Sequence, residues 1–372
     1  MKQLRAPKKT SSPDYVFIAF VFILIIFGLV MLTSASSDLG KTRFGDSYYY
    51  LTHQLIYGLA PGIIGFFAGL FIYYRRFEKW SMVILAISVF SLLLVFTPFG
   101  FSVKGSERSL QIGSFIFQPG ELLKLTFFIY LAAWISKKKA RNESFSEGFI
   151  PFIMMTGLIM AILFLQPSTS IALLIFSTAI LTYFTAGAKM KFLLSAAIVV
   201  TIAVGIVIYV TPYRLQRVMT FLHPSTSNEL GSGYHINQAL IAIGSGGLTG
   251  VGYGQSTTKL KYLPEPIGDS IFAIIGEELG FIGGISFIFI FLLFIWRGLR
   301  IAKEAPDSFG RLIIIGFITL IGLQAFVNIA AISGIIPLTG IPLPFISYGG
   351  TALVVLLAMC GIIVNISMYR KT

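Results

Sequence analysis

The sequence predicts an all-α polytopic integral membrane protein with about ten transmembrane helices and a large extracytoplasmic loop between helices 7 and 8. Three observations carry this prediction. First, 56% of the 372 residues are apolar and only 12% are charged. A soluble domain carries roughly 25% charged residues, so there is too little charge here to cover so much apolar surface. Second, ten apolar runs approach the roughly 20 residues needed to cross a bilayer. Third, Lys and Arg divide unevenly between the two sides that those runs define. Together these exclude a secreted or cytosolic enzyme, a disordered tail protein and a disulfide scaffold. The single cysteine, Cys360, permits no intrachain disulfide.

The runs fall at Tyr15–Thr33, Leu51–Tyr74, Trp80–Thr97, Phe117–Ile135, Phe149–Leu165, Ser168–Thr185, Phe192–Val210, Asp269–Trp296, Leu312–Ser333 and Gly350–Tyr369. Only Gln166-Pro167 separates the fifth from the sixth, so nine or ten spans are expected. The first run follows Lys2, Arg5, Lys8 and Lys9 and ends at Ser34-Ala35-Ser36, as a cleaved signal peptide would. Its apolar core is too long for one, and a retained helix is expected.

With the N-terminus inside, ten spans place 19 of the 28 basic residues on inner segments and 8 on outer ones. Lys124 is left inside a span. This bias orients the chain with both termini in the cytoplasm, and it explains the net charge of +13 without nucleic acid. A single domain over 1–372 is expected, with 1–14 as a cytoplasmic segment and 211–268 as the large outer loop.

That loop opens with Tyr213-Arg214-Leu215-Gln216-Arg217-Val218-Met219, which suits a short interfacial helix. A glycine-rich stretch, Gly244–Gly254, follows. Val251-Gly252-Tyr253-Gly254 imitates part of a potassium filter, but the pore-helix context is missing. The glycine spacing imitates a dinucleotide loop without a βαβ unit around it. A second outer loop, Gly334–Gly349, is stiffened by Pro337, Pro342 and Pro344, as a lid or cavity wall would be. His53, His223 and His235 lie far apart, and none has a partner at zinc-ligand spacing.

An ionisable side chain within a span costs on the order of 2.5–3.5 kcal/mol, so each one needs a reason. Glu121 and Lys124 are three residues apart, share a helix face and can pair. Asp269 stands where the long loop meets the eighth span, as a helix cap or as a catalytic base. Glu277 and Glu278 lie deeper. Helical phase puts Glu277 on the face of Asp269, roughly 12 Å further in. Gly276, Gly280 and Gly284 form a small-residue ladder suited to helix packing. The threading brings Glu121, Lys124 and Asp269 to one depth, with Arg108 in the adjoining outer loop. Cations for phosphate and a carboxylate for proton transfer suit a pyrophosphorylated lipid head group. No Walker motif is present.

These stretches resemble the SEDS family (shape, elongation, division, sporulation), whose members include FtsW and RodA. The resemblance rests on Phe117-Gln118-Pro119-Gly120-Glu121-Leu122-Leu123-Lys124-Leu125, Ile241–Leu248, Leu263-Pro264-Glu265, Asp269, Ile271–Gly280 and Leu343–Gly350. The run from Gly252 to Glu265 looks more like FtsW than RodA. The chain departs from the pattern at Ile267-Gly268, where His-Thr is usual. It departs again at Ser109, where Trp is usual, and at Gly120, a frequent Ser.

The resemblance implies a peptidoglycan glycosyltransferase that polymerises lipid II on the outer face of the bacterial cytoplasmic (inner) membrane, in division or elongation. By position, Asp269 is the catalytic base, and Arg108, Glu121, Lys124, Glu265 and Glu277 are substrate-binding. The implied partners are lipid II, a class B penicillin-binding protein (a transpeptidase) and other divisome or elongasome membrane proteins. The leaving pyrophosphate would be held by Lys124, Arg108 or a divalent cation, Mg2+ or Mn2+. No organic cofactor is expected. A lipid II flippase and a non-catalytic scaffold for the transpeptidase are the alternatives.

Overall fold

A computed structural model describes residues 9–103, 106–113, 115–137, 142–166, 168–222, 232–260 and 262–370. His223 and the basic residues Lys2, Arg5, Lys8, Lys104, Lys138, Lys139, Arg141, Lys261 and Lys371 lie outside the described residues.

The ten expected runs correspond to ten helical segments. These are α1 (Tyr15–Phe44), α2 (Tyr49–Gln54) joined by a π-helical turn to α3 (Ala60–Phe71), α4 (Arg75–Leu94), α5 (Pro119–Ser136), α6 (Ile150–Leu165), α7 (Thr169–Thr185), α8 (Met190–Val210), α11 (Ile271–Lys303), α12 (Ser308–Ile332) and α13 (Gly350–Ser367). Eight are long and apolar enough to cross a membrane, and α7 is a shorter apolar helix. The remaining segment, α5, carries Glu121 and Lys124 in its first two turns. Two more helices, α9 (Pro212–Leu222) and α10 (Ser232–Ser245), lie in the long loop. The first is the expected amphipathic helix; the second was not foreseen.

Helices α12 and α13 are buried along most of their length, whereas α8 is nearly all exposed. Small residues let α3 and α13 meet closely. A Cβ on Gly361 would stand 2.1 Å from the Phe66 carbonyl oxygen, so no larger residue fits there. Helix α1 continues past Thr33, and Ser34, Ala35 and Ser36 are buried within it.

The fold departs from an all-α architecture in one place. Strands β1 (Gly100–Val103), β2 (Ser106–Ile112) and β3 (Phe115–Phe117) form an antiparallel sheet before α5. Phe101-Ser102-Val103-Lys104 and Ser109-Leu110-Gln111-Ile112 alternate apolar and polar residues, but over only four positions each. Pairing with neighbouring strands, not local pattern, sets them.

Helix α11 also departs from expectation. Gly280 leaves the helical region at φ 66° and ψ −168°, a conformation open to glycine. The break frees backbone groups, and the glycine-rich strap takes them up. Val251 N and Gly252 N donate to the Glu277 and Glu278 carbonyls at 3.0 and 3.1 Å. Phe281 N and Ile282 N donate to the Gly247 and Leu248 carbonyls at 2.9 and 3.1 Å. The glycines are needed for the approach, since a Cβ on Gly250 would lie 2.1 Å from the Glu278 carbonyl oxygen. The expected packing ladder is thus corrected in part: Gly276 faces Ile243 of α10 and, with Gly280, receives the strap, whereas a Cβ on the buried Gly284 would meet nothing.

The two ends of the described chain meet at the end of the bundle opposite Asp269. Ser11 Oγ donates to the Ser367 carbonyl at 2.8 Å, and Asp14 N donates to Ser367 Oγ at 3.1 Å. Asp14 caps α1 through Phe17 N at 2.9 Å and is held by Arg297 at 2.8 and 3.0 Å, with Arg370 also bonded. Burial opposes its charge, but the Arg297, Phe17 and Arg370 hydrogen bonds together hold the carboxyl below its usual range. Asp14→Ala is expected to lower stability by on the order of 2 kcal/mol, read as a fall in Tm of the detergent-solubilised protein. A depressed carboxyl stabilises above its unfolded pKa and loses that contribution as pH falls through the folded value. The mutational deficit should therefore shrink in strong acid.

Candidate active site

Asp269 ends a tight turn that opens α11. Pro264 and Pro266 restrict the backbone, Glu265 takes φ 50°, and Gly268 N and Ser270 N both donate to the Glu265 carbonyl, at 3.0 and 3.3 Å. Three successive carbonyls are then fixed from outside the turn. Tyr348 N donates to Ile267 O at 2.9 Å, Ser347 Oγ to Gly268 O at 2.6 Å, and Asn328 Nδ2 to Asp269 O at 2.8 Å. The backbone of Asp269 is immobilised, while one carboxylate oxygen is left open. Oδ1 is buried and accepts no hydrogen bond among the described residues. The helix cap position belongs to Ser270, so capping does not occupy the Asp269 carboxylate.

The carboxylate faces a cavity of about 1690 Å³ that also takes in Arg108, Glu121, Arg214, Arg217 and Glu265. One wall is the loop from Ile336 to Gly349, which the sequence marks by its prolines. A Cβ on Gly340 would stand 3.7 Å from Asp269 Oδ2 and 4.0 Å from Arg217 Nη1, so both groups face that glycine. Burial pushes the Asp269 carboxyl above the usual carboxylate range; His235 and Arg217 oppose this, and Glu265 adds to it. Burial pushes the His235 imidazole down, against the pull of Asp269 and Glu265. Arg108 sits on β2 with its Nε buried and without a hydrogen-bond partner among the described residues.

Glu121 lines the cavity and Lys124 does not. Lys124 is 3% exposed. Its Nζ binds Glu121 at 2.7 Å and Gln324 Oε1 at 2.9 Å, and Gln324 Nε2 donates to the Pro342 carbonyl at 2.9 Å. The pair is thereby connected to the cavity wall. The expectation that Lys124 itself holds the leaving group gives way to a supporting role, because it is buried off the cavity with two of its three donors engaged.

Glu277 also requires correction. Helix α11 begins at Ile271, so helical phase does not carry over to Asp269. Glu277 is 1% exposed and lies away from the cavity. It accepts from Ser256 Oγ at 2.5 Å, Thr257 N at 3.0 Å and Thr258 N at 3.3 Å, as well as from Thr258 Oγ1. It anchors the loop that leads to Asp269 instead of meeting a substrate. Glu278 does similar work, with Oε1 bonded to Lys259 Nζ at 2.7 Å and Ser34 Oγ at 2.5 Å.

The sequence reading did not single out Arg214, Arg217, His235, Gln324 or Asn328. Arg214 and Arg217 were noticed only as parts of an amphipathic helix. Their spacing of three on that helix, beside the span that precedes it, was the available signal. The others become neighbours of the site only through tertiary packing. Among the described residues, no group of three or more His, Cys, Asp or Glu could hold a metal ion.

Known proteins share the sequence and the fold of this chain over nearly its whole length. Stage V sporulation protein E of Bacillus subtilis is 38% identical over 98% of this chain and 99% of its own length. A probable peptidoglycan glycosyltransferase FtsW of Geobacter sp. strain M18 is 36% identical over 97% of this chain and 98% of its own. In fold, the chain is similar to a member of a peptidoglycan synthase complex that coordinates polymerisation and crosslinking, with TM-score 0.79 and 24% identity over 95% of this chain and 97% of that one. It is also similar to the Thermus thermophilus rod shape determining protein RodA, with TM-score 0.71 and 24% identity over 98% and 99%. The family model described as a cell cycle protein, covering FtsW, RodA and SpoVE, matches residues 14–372, and the chain belongs to that family.

Proposed function

We propose that this chain is a peptidoglycan glycosyltransferase that polymerises lipid II at the cavity rimmed by Asp269. The observation that carries the reading is a carboxylate on an immobilised backbone, with a buried oxygen left unbonded, facing a cavity that also holds Arg108, Arg214 and Arg217. Asp269 takes the proton from the 4-hydroxyl of the acceptor N-acetylglucosamine. That oxygen attacks the anomeric carbon of the donor N-acetylmuramic acid, with inversion. The bond to undecaprenyl pyrophosphate breaks, and the departing anion is received by the arginines, whose forked donors suit phosphate oxygens. A divalent cation on the leaving group would be held by the pyrophosphate itself, since no cluster of three His, Cys, Asp or Glu ligands stands ready for it among the described residues.

The orientation that goes with this reading puts the Asp269 end outside the cytoplasmic membrane and the clasped termini inside, as the 19-to-8 division of basic residues supports. Lys259 is too buried to report sidedness. In a Cys360→Ala background, Tyr262→Cys should label from outside the cell and Lys303→Cys should not. The reverse pattern would overturn the orientation. A class B penicillin-binding protein is proposed as the partner, on the strength of the family and of the synthase complex to which the fold is similar.

The flippase reading would favour a broken span lining a substrate path. Helix α11 is broken, but the strap fills the break and Glu277 and Glu278 are engaged there. Asp269→Asn separates a catalyst from a flippase or scaffold. It should leave folding and lipid II binding intact and lower polymerisation by about 10²–10⁴-fold, measured on purified lipid II with the partner present. Normal glycan-strand formation would sink the mechanism. In the wild type, the acid limb of kcat should lie above that of an ordinary carboxylate, since a raised Asp269 must still ionise before it can accept a proton.

Glu121→Leu/Lys124→Met tests the supporting pair. An isolated buried pair can often be replaced by apolar residues without loss. Here the replacement would also free Gln324 and the loop at Pro342. A folded double mutant is therefore expected to lose most polymerisation. Full activity would show that the pair serves only its own neutrality.

A further inference from the structure

His235 lies on α10, far in sequence from the turn that carries Asp269. Its Nε2 is 2.5 Å from Ser270 Oγ, on the residue next to Asp269. Ser270 Oγ also donates to the Pro264 carbonyl at 2.7 Å. A hydroxyl has one proton to give. With that proton on the Pro264 carbonyl, the second contact is satisfied only when Nε2 donates to Ser270 Oγ. The imidazole therefore keeps a proton on Nε2 in both its neutral and its charged form, and Nδ1 is the nitrogen that titrates. The ring is half-buried and does not line the cavity.

Three elements bring charge to this spot: Arg217 from α9, His235 from α10, and Glu265 with Asp269 from the turn. Burial acts against charge on both Asp269 and His235. Their mutual attraction opposes this without outweighing it, and a neutral carboxylic acid cannot serve as a base. The chain itself offers no polar side chain at Ile267-Gly268, immediately before the aspartate.

We propose that His235 is a positioning residue for Asp269, pinning the 264–270 turn through Ser270 and, in its charged form, partly offsetting the burial that disfavours charge on the neighbouring carboxylate. The proposal rests on the reading of Asp269 as general base. It assigns the imidazole no contact with substrate. An imidazole supplied by α10 stands in for polar neighbours that the turn lacks.

Two variants separate the parts of this role. His235→Gln keeps an N–H donor for Ser270 and removes the titrating charge, whereas His235→Ala removes both. Full-length protein with its partner is assayed for lipid II polymerisation across pH. The same variants, without substrate, are treated with a hydrophobic carbodiimide, which modifies protonated carboxyl groups, and Asp269 modification is followed by mass spectrometry. For His235→Gln, KM should be unchanged and the acid limb of kcat should move to higher pH. The rate should fall several-fold below that limb and match the wild type above it. The labelling midpoint of Asp269 should move in the same direction. His235→Ala should add a loss of kcat at every pH. A His235→Gln protein with the wild-type pH profile and the wild-type labelling midpoint would overturn the proposal. Wild-type protein that labels as described but never polymerises lipid II would instead overturn the glycosyltransferase reading, because the labelling readout does not depend on turnover.

Discussion

A helix interrupted inside a membrane leaves backbone groups that lipid cannot satisfy, and protein must bond them. That constraint organises this molecule around Gly280. The glycine-rich strap meets the break from both sides, with amides of 251 and 252 on one and carbonyls of 247 and 248 on the other. Once the strap is bonded there, the following residues have little freedom. Tyr253 OH reaches the Val30 carbonyl on α1 at 2.9 Å. Glu277 and Glu278 then hold residues 256–259. The chain is thus delivered to the 263–270 turn from a fixed origin, and the turn is bonded to α12 and to the proline-rich loop. Asp269 is precise because the loop before it is anchored deep in the helix after it.

Much of this could be read in the sequence, for a simple reason. Transmembrane runs are set by solvent, and solvent preference is a property of each segment alone. The ten runs, the amphipathic start of the long loop and the stiff wall from 334 to 349 all follow from local composition. Asp269, Glu121 and Arg108 were legible because charge beside or within apolar sequence demands a reason. What was not legible depends on partners. Gly276, Gly280 and Gly284 have the spacing of a packing face, and the same spacing served here to admit a strap. The companion signal was the density of glycine from 244 to 254, but nothing local says that two glycine-rich segments pair. Glu277 was misplaced because helical phase was extended two residues beyond the first residue of α11. The sheet before α5 arises from pairing among neighbouring strands within 100–117, and the place of His235 from contact with a distant segment.

Among the described residues, buried charges in this fold are satisfied to different degrees: Glu278 Oε2 is left open away from the cavity, and Asp269 and Arg108 are left open beside it. Lys259 has three acceptors, Glu278 Oε1, Ser34 Oγ and Gly254 O, at 2.7–2.9 Å. Lys124 is engaged by Glu121 and Gln324. Such groups gain little net stability from their charge, since desolvation offsets most of the attraction. Their value is geometric, because each one fixes a loop against a helix. By contrast, one oxygen of Asp269 and one nitrogen of Arg108 are buried without partners. An unbonded buried polar atom is costly to keep, and a cavity large enough for a substrate supplies the reason to keep it.

The separation of backbone and side chain at Asp269 is the step that joins fold to chemistry. If the residue served the helix, its carboxylate would be occupied at the helix start, and the cost of losing it would be about 1 kcal/mol. Instead, Ser270 takes the cap position. The carbonyls of residues 267, 268 and 269 take the tethers from α12 and the proline-rich loop, Ser270 takes the one from α10, and Asp269 Oδ1 is left to the cavity. A base must be held still without being neutralised. Tethering through the main chain does the first. Placing cations beside the carboxylate, with none bonded to Oδ1, does the second. An arrangement that used side-chain bonds to fix the aspartate would have quenched the basicity it needed to present.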